Sequence, residues 1–464
     1  MKRRIGLFAL ALILTACASV TLPPKPVTLG LTDVDKFSAV PVGAPLPSLA
    51  DLLWWQRFDD PVLSRWVERA LANSPSVDIA RERVVQAQAL LRGARAQRSP
   101  FMGAEAVVEA RSRREPGQRA TDPSAALTLD LDLDVGGGLR QAEMSAAASV
   151  LRSEDWLQAA RLSVAGLTAR AYVEWQEARL DQRLLADELA LQAEVLRIVQ
   201  VRVRAGLAPQ IDLDRARADT AAIEADAADA SVRVRQAAAA LQVLAGERPQ
   251  ALATAADTAR LPMLQGLQPV PRPIDLLRLR PDLRAAERSL TVAAANLGVA
   301  ESALYPRLQL PGTLALTSAG LGGGVLNIVS ASLAAVLDVA LYDGGARDAG
   351  VDLARSRVRE ASQLYRQTLL QALQQAEAAL VAAEGTGQRT EALQRASAAA
   401  DAALAQARTL YTHGLTGFID VLDAQRSALT NRRNLLSARA DATGQAITTF
   451  EVMGLMAAET ASAD

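Results

Sequence analysis

Tyr411-Thr412-His413-Gly414-Leu415-Thr416-Gly417-Phe418-Ile419-Asp420-Val421-Leu422-Asp423-Ala424-Gln425-Arg426-Ser427 is the stretch whose reading decides the fold. A long Ala/Leu/Arg/Gln helical pattern runs into Gly414, whose missing side chain admits a turn or C-cap, and a second leaves from about Phe418. The stretch predicts the tip of a helical hairpin at about 411–423. Asp420, Asp423 and Arg426 recur every third residue and share one helix face. Two readings fit the aspartates: a functional acidic face, or carboxylates that cap and solvate the hairpin.

The same tip occurs once before, at about 204–212, where Gly206-Leu207 and Ile211-Asp212 match Gly414-Leu415 and Ile419-Asp420. Pro75 pairs with Pro281, Pro100 with Pro306 and Gly137-Gly138 with Gly344-Gly345. The offset stays at about 206–208 residues over these distinct landmarks, which implies a duplicated unit. The chain reads as two repeats, 51–260 and 261–464.

Met1-Lys2-Arg3-Arg4 is a basic start, Ile5 to Leu14 an apolar run too short for a permanent span, and Thr15-Ala16-Cys17 a small-residue end. Leu14-Thr15-Ala16-Cys17 resembles a lipobox, which implies removal of residues 1–16 and an N-palmitoyl, S-diacylglycerol-modified Cys17; the alternative is an ordinary secretory signal with an incidental cysteine. Cys17 is the single cysteine, so no internal disulfide can form. Ala18 follows where, among bacterial lipoproteins, an aspartate would imply inner-membrane retention. Residues 17–50 contain Pro23, Pro24, Pro26, Pro41, Pro45 and Pro47 and read as an extended tether. Asp51 to Pro61 gathers Trp54, Trp55 and Phe58, read as local packing of a short helix.

Composition removes most enzymes. His413 is the single histidine and Lys occurs only at 2, 25 and 36, so the folded body holds no lysine-type phosphate loop. No Gly-x-Ser-x-Gly elbow and no Cys/His metal cluster are present. The expectation is a protein that is not an enzyme, with no metal and no cofactor beyond the lipid. With 50 basic against 51 acidic residues and 3% aromatics, nothing suggests a nucleic-acid surface.

A helical pattern runs from Val62 to about Ala96, with Pro75 opening a new helix after Asn73-Ser74, and Ser99-Pro100 stops it. The period then changes. Residues 101–111 alternate loosely; across 124–135, Leu127, Leu129, Leu131, Leu133 and Val135 oppose Thr128, Asp130, Asp132 and Asp134. Residues 112–123 read as a loop between them. The second repeat gives strands at about 307–317 and 330–342, with a Gly-rich loop at 320–324. An apolar face opposite a polar one fits a membrane barrel or a soluble sandwich, and the lipobox favours the membrane. Four strands cannot close a membrane barrel, so the chain must oligomerise.

After Gly136-Gly137-Gly138 a helical pattern runs to Ala205, and after Gly344-Gly345 another runs to His413, interrupted at Gly385-Thr386-Gly387. Each would extend roughly 100 Å. Leu180, Leu184, Leu191, Val195 and Ile198 mark a coiled-coil seam. Return helices run from about Ile211 to Gly246 and from Phe418 to Gly454.

The repeat of helix, strand pair and long hairpin, with Gly-Leu-Thr-Gly-Phe-Ile-Asp-Val-Leu-Asp-Ala-Gln-Arg-Ser at residues 414–427, resembles the TolC-like outer-membrane efflux proteins. Arg280-Pro281-Asp282-Leu283, Ala286-Glu287, the lipobox and Trp55-Gln56-Arg57-Phe58-Asp59-Asp60-Pro61 are similar to its lipoprotein (NodT-type) branch, which serves resistance-nodulation-division pumps. The resemblance implies a mainly α chain with membrane β: a homotrimer with a shared 12-stranded outer-membrane barrel, continued by a periplasmic α-helical barrel and a mixed equatorial belt. It implies a passive efflux duct, lipid-anchored in the outer membrane and reaching into the periplasm, coupled through a periplasmic adaptor to an inner-membrane resistance-nodulation-division pump.

The resemblance also assigns roles at the tip. Asp420 and Asp423 match a gate of acidic rings, Ile419 its apolar plug and Tyr411 a tyrosine that holds the closed state, while Arg426 stands where it can neutralise part of the acidic charge. An arginine lock used by some members would fall at Thr416 or Gly417, neither of them arginine. Gly206, Leu207, Gly414 and Leu415 match the adaptor-docking tips. A duct for type I protein secretion and a non-conducting envelope lipoprotein are the alternatives.

Overall fold

A computed structural model describes residues 37, 49–112, 119–250, 259–264, 270–321 and 324–456. The signal, Cys17 and almost all of the tether lie outside these residues. The chain divides into two compact units, each drawing on both repeats: the first holds Val84–Ser153 and Ala285–Arg366, the second the described residues of Leu29–Arg83, Glu154–Arg284 and Gln367–Asp464.

The duplication is visible in element lengths. A 3-10 segment at Leu49–Phe58 precedes α1 (Pro61–Asn73) and α2 (Pro75–Ala96). β1 (Phe101–Ser112) and β2 (Arg119–Asp130) follow, then α3 (Gly138–Arg204) and α4 (Gln210–Leu244). The short α5 (Leu276–Leu279) leads to α6 (Pro281–Ser302). Next come β3 (Arg307–Gln309), β4 (Gly312–Leu321), β5 (Gly324–Leu333) and β6 (Val336–Asp338). α7 (Ala346–Thr412) and α8 (Phe418–Val452) close the chain. α2 and α6 each have 22 residues, α3 and α7 each 67, α4 and α8 each 35.

In the first unit β1, β2, β4 and β5 form an antiparallel sheet in that order, and β3 pairs with β6. Register places Met102, Leu129, Gly312 and Leu333 across from one another, and likewise Ala104, Leu127, Leu314 and Ala331. Side chains alternate, so this face is apolar through these rows and turns polar further along at Ser318 and Asn327, while the other carries Glu105, Ser124, Thr128, Asp130, Thr313 and Ser330. Leu127, Leu314, Leu316, Val329 and Leu333 are all exposed. A soluble sandwich would cover such leucines.

Strand limits differ from the sequence reading. β2 begins at Arg119, so the loop expected over 112–123 shrinks to 113–118, outside the described residues. Pro123 sits inside β2 opposite Val108, beyond Ser124 where pairing with β4 stops. A missing N–H toward that vacant side removes no ladder bond. The alternation of 131–135 runs past β2, where Leu310 N–H donates to Leu131 and Leu133 N–H to Leu308. Pro311 divides the expected 307–317 strand into β3 and β4. Pairing of β4 and β5 from Gly312↔Leu333 to Leu321↔Gly324 shortens the glycine loop and moves that strand forward from 330–342.

Helix entry into this unit uses aspartates. Asp134, at φ 48°, accepts from the N–H groups of Leu139 and Arg140 at 2.8 and 2.9 Å. Asp343 accepts from Gly345 and Arg347 at 3.0 and 3.3 Å. Close packing of α3 on α6 explains Gly298: a Cβ there would lie 2.7 Å from the Gln141 side chain.

In the second unit the Trp54 ring stacks on Phe450 at 5.6 Å, with Trp55, Phe58, Leu63, Tyr172, Leu276, Leu369 and Ile447 in the same core. The local packing expected for 51–61 is therefore corrected: scarce aromatics concentrate where the start and end of the chain meet, because large rings bury the most area per residue. Asp60 caps α1, accepting from Val62 and Leu63, and its other oxygen accepts from the Tyr172 hydroxyl at 3.0 Å. Arg280 donates to the Val452 carbonyl at 2.9 Å and to Asp282 at 2.6 Å, which gives the Arg-Pro-Asp-Leu motif a clamping role on α8.

Two helix expectations are corrected. α7 passes unbroken through Gly385–Gly387 because glycine keeps its backbone N–H and C=O and costs a helix only about 1 kcal/mol against alanine. Leu191 is exposed, and between 181 and 199 the buried line of α3 is Asp181, Leu185, Glu188, Gln192 and Val199. The seam is partly polar, which a search for leucines misses. No described helix is long and apolar enough to cross a membrane.

Gly206, Gly246, Gly414 and Gly454 all have positive φ, 71–74°, and end their helices alike. In each, the following N–H reaches back five residues and the glycine N–H three, as in Leu415 to Leu410 and Gly414 to Tyr411. A Cβ at Gly414 meets nothing within 4 Å, whereas at Gly454 it would lie 2.7 Å from the Leu279 carbonyl oxygen. Gly414→Ala is expected to cost about 1 kcal/mol from the left-handed backbone alone; Gly454→Ala adds a backbone clash and should cost at least twice as much, measured by thermal unfolding. Equal losses would contradict the packing described for the C-terminus.

Candidate functional site at the helical hairpin tips

The two tips share one small core. Val199 of α3, Leu213 and Ala216 of α4, Tyr411 of α7, and Phe418, Val421 and Leu422 of α8 are buried together. Each large side chain contributes about 1.5–3 kcal/mol by leaving water. Tyr411 packs on Phe418 with ring centres 5.9 Å apart, the Arg202 guanidinium lies 4.6 Å above the Tyr411 ring, and its Nη1 donates to the Tyr411 carbonyl at 2.8 Å. Burial pushes the Tyr411 phenol above its ordinary pKa, Arg202 opposing and Asp212 adding to the shift.

Leu207 and Leu415 project from the turns, 70% and 73% exposed, beside Gly206 and Gly414. Exposed His413 lies in the same turn. Ile419, 41% exposed, turns away from the core, as does Asp423. Asp420 is also exposed, but its carboxylate accepts from the Gly417 N–H at 3.2 Å and from the Thr416 hydroxyl. It therefore caps α8. Thr416 and Gly417 are engaged with this carboxylate.

Arg426 does not serve Asp420 or Asp423. Its Nε lies 2.9 Å from Asp219 of α4, which is buried, so the cation is spent on the neighbouring hairpin. At the first tip Asp212 has Arg215 at 3.8 Å. At the second, Asp423 occupies the position corresponding to Arg215 and has no partner among the described residues. The two tips share a fold and differ in charge.

Behind the tips lies a buried polar seam that sequence reasoning missed. Gln425 Nε2 donates to Glu188 at 2.6 Å and to Gln192 at 2.8 Å; Gln192 Nε2 reaches the Ala216 carbonyl at 3.3 Å. Arg432 Nη1 stands 3.6 Å from the other Glu188 oxygen and its Nε 2.8 Å from Asp401. Further along, Arg433 contacts Asp181 at 2.9 Å and Asp226 at 3.0 Å, and Arg233 reaches Asp181 at 2.5 Å. The available signal was spacing: Asp181, Leu185, Glu188 and Gln192 recur at four, three and four residues, polar groups at seam positions. Among the described residues no group of His, Cys, Asp and Glu is arranged to hold a metal.

A family model described as "Outer membrane efflux protein" matches residues 66–247 and 273–455, one block per repeat. The cation efflux system protein CusC of Escherichia coli O6:H1 is 27% identical over 444 residues, covering 92% of this chain and 93% of that protein. Nodulation protein T of Rhizobium leguminosarum bv. trifolii is 29% identical over 397 residues, covering 83% and 84%. The crystal structure of the open state of the Neisseria gonorrhoeae MtrE outer membrane channel aligns with a TM-score of 0.84 at 25% identity, over 95% of this chain and 99% of that one.

Gln425→Ala strips a donor from buried Glu188 and Gln192 and should cost about 1–3 kcal/mol, read as a lower unfolding temperature; an unchanged temperature would make the seam incidental. Burial raises the Glu177 carboxyl, a hydrogen bond from Ser437 opposes this, and Asp441, Asp181 and Glu174 add repulsion. Its charged form is disfavoured by folding, so stability falls as pH rises from the ordinary carboxylate pKa through the raised one. Glu177→Gln should stabilise above that window and change little below it, as an unfolding series across pH would reveal.

Proposed function

Because the chain belongs to the outer membrane efflux protein family, we propose that it is the passive, gated exit duct of a tripartite efflux system. It is an outer-membrane efflux channel. The observation that carries the finer reading is the open four-stranded sheet, apolar on one face and polar on the other. Its free edges on β1 and β5 are backbone donors and acceptors that lipid cannot satisfy. Joining β5 of one copy to β1 of the next removes them. Two copies would give eight strands, whose interior side chains fill, whereas three give twelve and leave a duct.

The lipid on Cys17, N-palmitoyl and S-diacylglycerol, anchors each copy to the outer membrane, and the long helices reach into the periplasm. An inner-membrane resistance-nodulation-division pump supplies the energy. A periplasmic adaptor seats on the exposed Leu207 and Leu415 beside Gly206 and Gly414, and opens the duct by binding its open tips more tightly than its closed ones. The similarity to the cation efflux system protein CusC supports efflux, and that to nodulation protein T supports the NodT-type branch. The pump selects the cargo.

The gate lies where Ile419, Asp420 and Asp423 stand exposed at the second tip while Arg426 is held by Asp219. Three copies of these carboxylates around a narrow axis repel one another and favour cations. Tyr411 holds this helix end to Arg202. In a planar bilayer the wild type should show small, cation-selective single-channel conductance, and Asp420→Ala/Asp423→Ala a larger, less selective one. Equal and large conductance in both would describe an open porin; no conductance in either would overturn the duct.

A further inference from the structure

Glycine is distributed unequally between the two hairpins. Gly385 and Gly387 of α7 and Gly444 of α8 lie inside long helices, and a Cβ at each would meet nothing within 4 Å. With Gly206 matched to Gly414, the first hairpin carries Glu177, Arg179 and Gln236 at these positions. α4 contains no glycine, and the one glycine in the interior of α3, Gly166, is required by packing, since its Cβ would lie 2.8 Å from Glu451. No close approach within the chain asks for glycine at 385, 387 or 444, yet glycine weakens a helix relative to alanine.

The three glycines fall at one level of the second hairpin. Gln445 Nε2 donates to the Ala379 carbonyl at 3.0 Å on one side of them, and the Thr390 hydroxyl donates to the Ala438 carbonyl at 3.3 Å on the other. Residues 379–390 of α7 therefore face 438–445 of α8, and a stretch of about 16 Å holds all three. Threonines around them turn their hydroxyls onto helix carbonyls: Thr386 to Ala383, Thr390 to Thr386, Thr443 to Arg439 and Thr448 to Gly444, at 2.8–3.0 Å. Such bonds compete with the helix ladder and favour bending. Where α8 has Thr443-Gly444-Gln445-Ala446-Ile447-Thr448-Thr449, α4 has Arg235-Gln236-Ala237-Ala238-Ala239-Ala240-Leu241, a far stronger helix former.

The hairpin is held differently on the two sides of this level. Toward its base, Leu369, Ala372, Ala376 and Leu380 of α7 and Ala446, Ile447 and Phe450 of α8 are buried in the aromatic core. Arg280 ties Gln375 of α7 to the Val452 carbonyl of α8 there. Toward its tip the apolar clusters are smaller, and the seam with the first hairpin includes Asp181, Glu188 and Asp219, taken by Arg433, Gln425 and Arg426. A base fixed in a large core, followed by a weakened level, is the arrangement of a joint.

We propose that the second hairpin bends at the level of Gly385, Gly387 and Gly444 while its base stays fixed in the aromatic core. The first hairpin, which lacks these glycines, is the stiff member of the pair. The inference rests on the gated duct of the proposed function and locates the joint at which its gate-bearing hairpin moves. The tip lies about 40 Å beyond the joint, so a bend of about 10° carries Ile419, Asp420 and Asp423 about 7 Å. Neither helix has to break, because glycine keeps its N–H and C=O in the ladder.

The test replaces the three glycines by alanine in the reconstituted full-length protein and reads amide exchange together with single-channel conductance. In the wild type, amides of residues 383–389 and 441–447 should exchange at least about tenfold faster than those of 175–181 and 233–239, and the alanines should slow them at least about fivefold. Added to Asp420→Ala/Asp423→Ala, the alanines should lower the raised conductance at least about twofold. Equal exchange in the two hairpins overturns the joint. Slowed exchange with conductance left high overturns its part in gating. If Asp420→Ala/Asp423→Ala itself leaves conductance unchanged, the acidic gate fails and the exchange comparison alone decides the joint. The alanine variant should unfold at or above the wild-type temperature; loss of assembly would show that the glycines admit an adjacent copy, and would overturn the proposal.

Discussion

The unpaired backbone along the outer sides of β1 and β5 is the constraint on which the rest depends. In water an open edge is tolerable; in hydrocarbon each unsatisfied N–H or C=O costs several kcal/mol. The apolar face formed by Leu127, Leu129, Leu314, Leu316, Val329 and Leu333 suits the sheet to hydrocarbon, and in the ring proposed above its edges are joined. The order β1-β2-β4-β5 leaves one edge from each repeat free. The hairpins of a duplicated chain already pair through β2 and β4, as copies would pair through β5 and β1 in the proposed ring.

Duplication also explains why the helices are as they are. Pairs of 22, 67 and 35 residues, closed by glycines with the same φ and the same reverse hydrogen bonds, are one design used twice. The copies part in charge at their tips. Arg215 faces Asp212 across one turn of the first tip, while Asp423 stands at its counterpart without a partner among the described residues. A symmetric tip would be electrically neutral at both hairpins.

Much of the architecture was legible because it is written in period and punctuation. Glycines at 206, 246, 414 and 454 and prolines at 75 and 281 mark helix ends wherever they occur. Strand limits were less legible, since alternation from Leu127 to Val135 continues after β2 has ended, and Pro123 is tolerated by a vacancy that only pairing reveals. Gly385 and Gly387 look like breaks but do not act as breaks inside a helix of 67 residues. The aromatic cluster was legible as composition and not as contact, because Phe450 is nearly four hundred residues from Trp54. At the tip the residues could be named, but the pairing of Arg426 with Asp219 depends on which helix lies alongside.

The buried seam shows what such a structure gives up for its mechanism. A leucine line in place of Glu188, Gln192 and Gln425 would bury more apolar area and remove a charge from the interior, and buried ionic groups rarely improve on that. Apolar seams, however, pack almost equally well when one helix slides by a heptad. Gln425 can satisfy Glu188 and Gln192 together in one register, and Arg433 can span Asp181 and Asp226 in that same register. Polar contacts of this kind are also exchangeable for water as they open, whereas a leucine seam opens onto exposed hydrocarbon. In the gated duct proposed above, a hairpin pair that holds one alignment when shut and loosens behind its tips is better served by the polar seam, at the cost of stability.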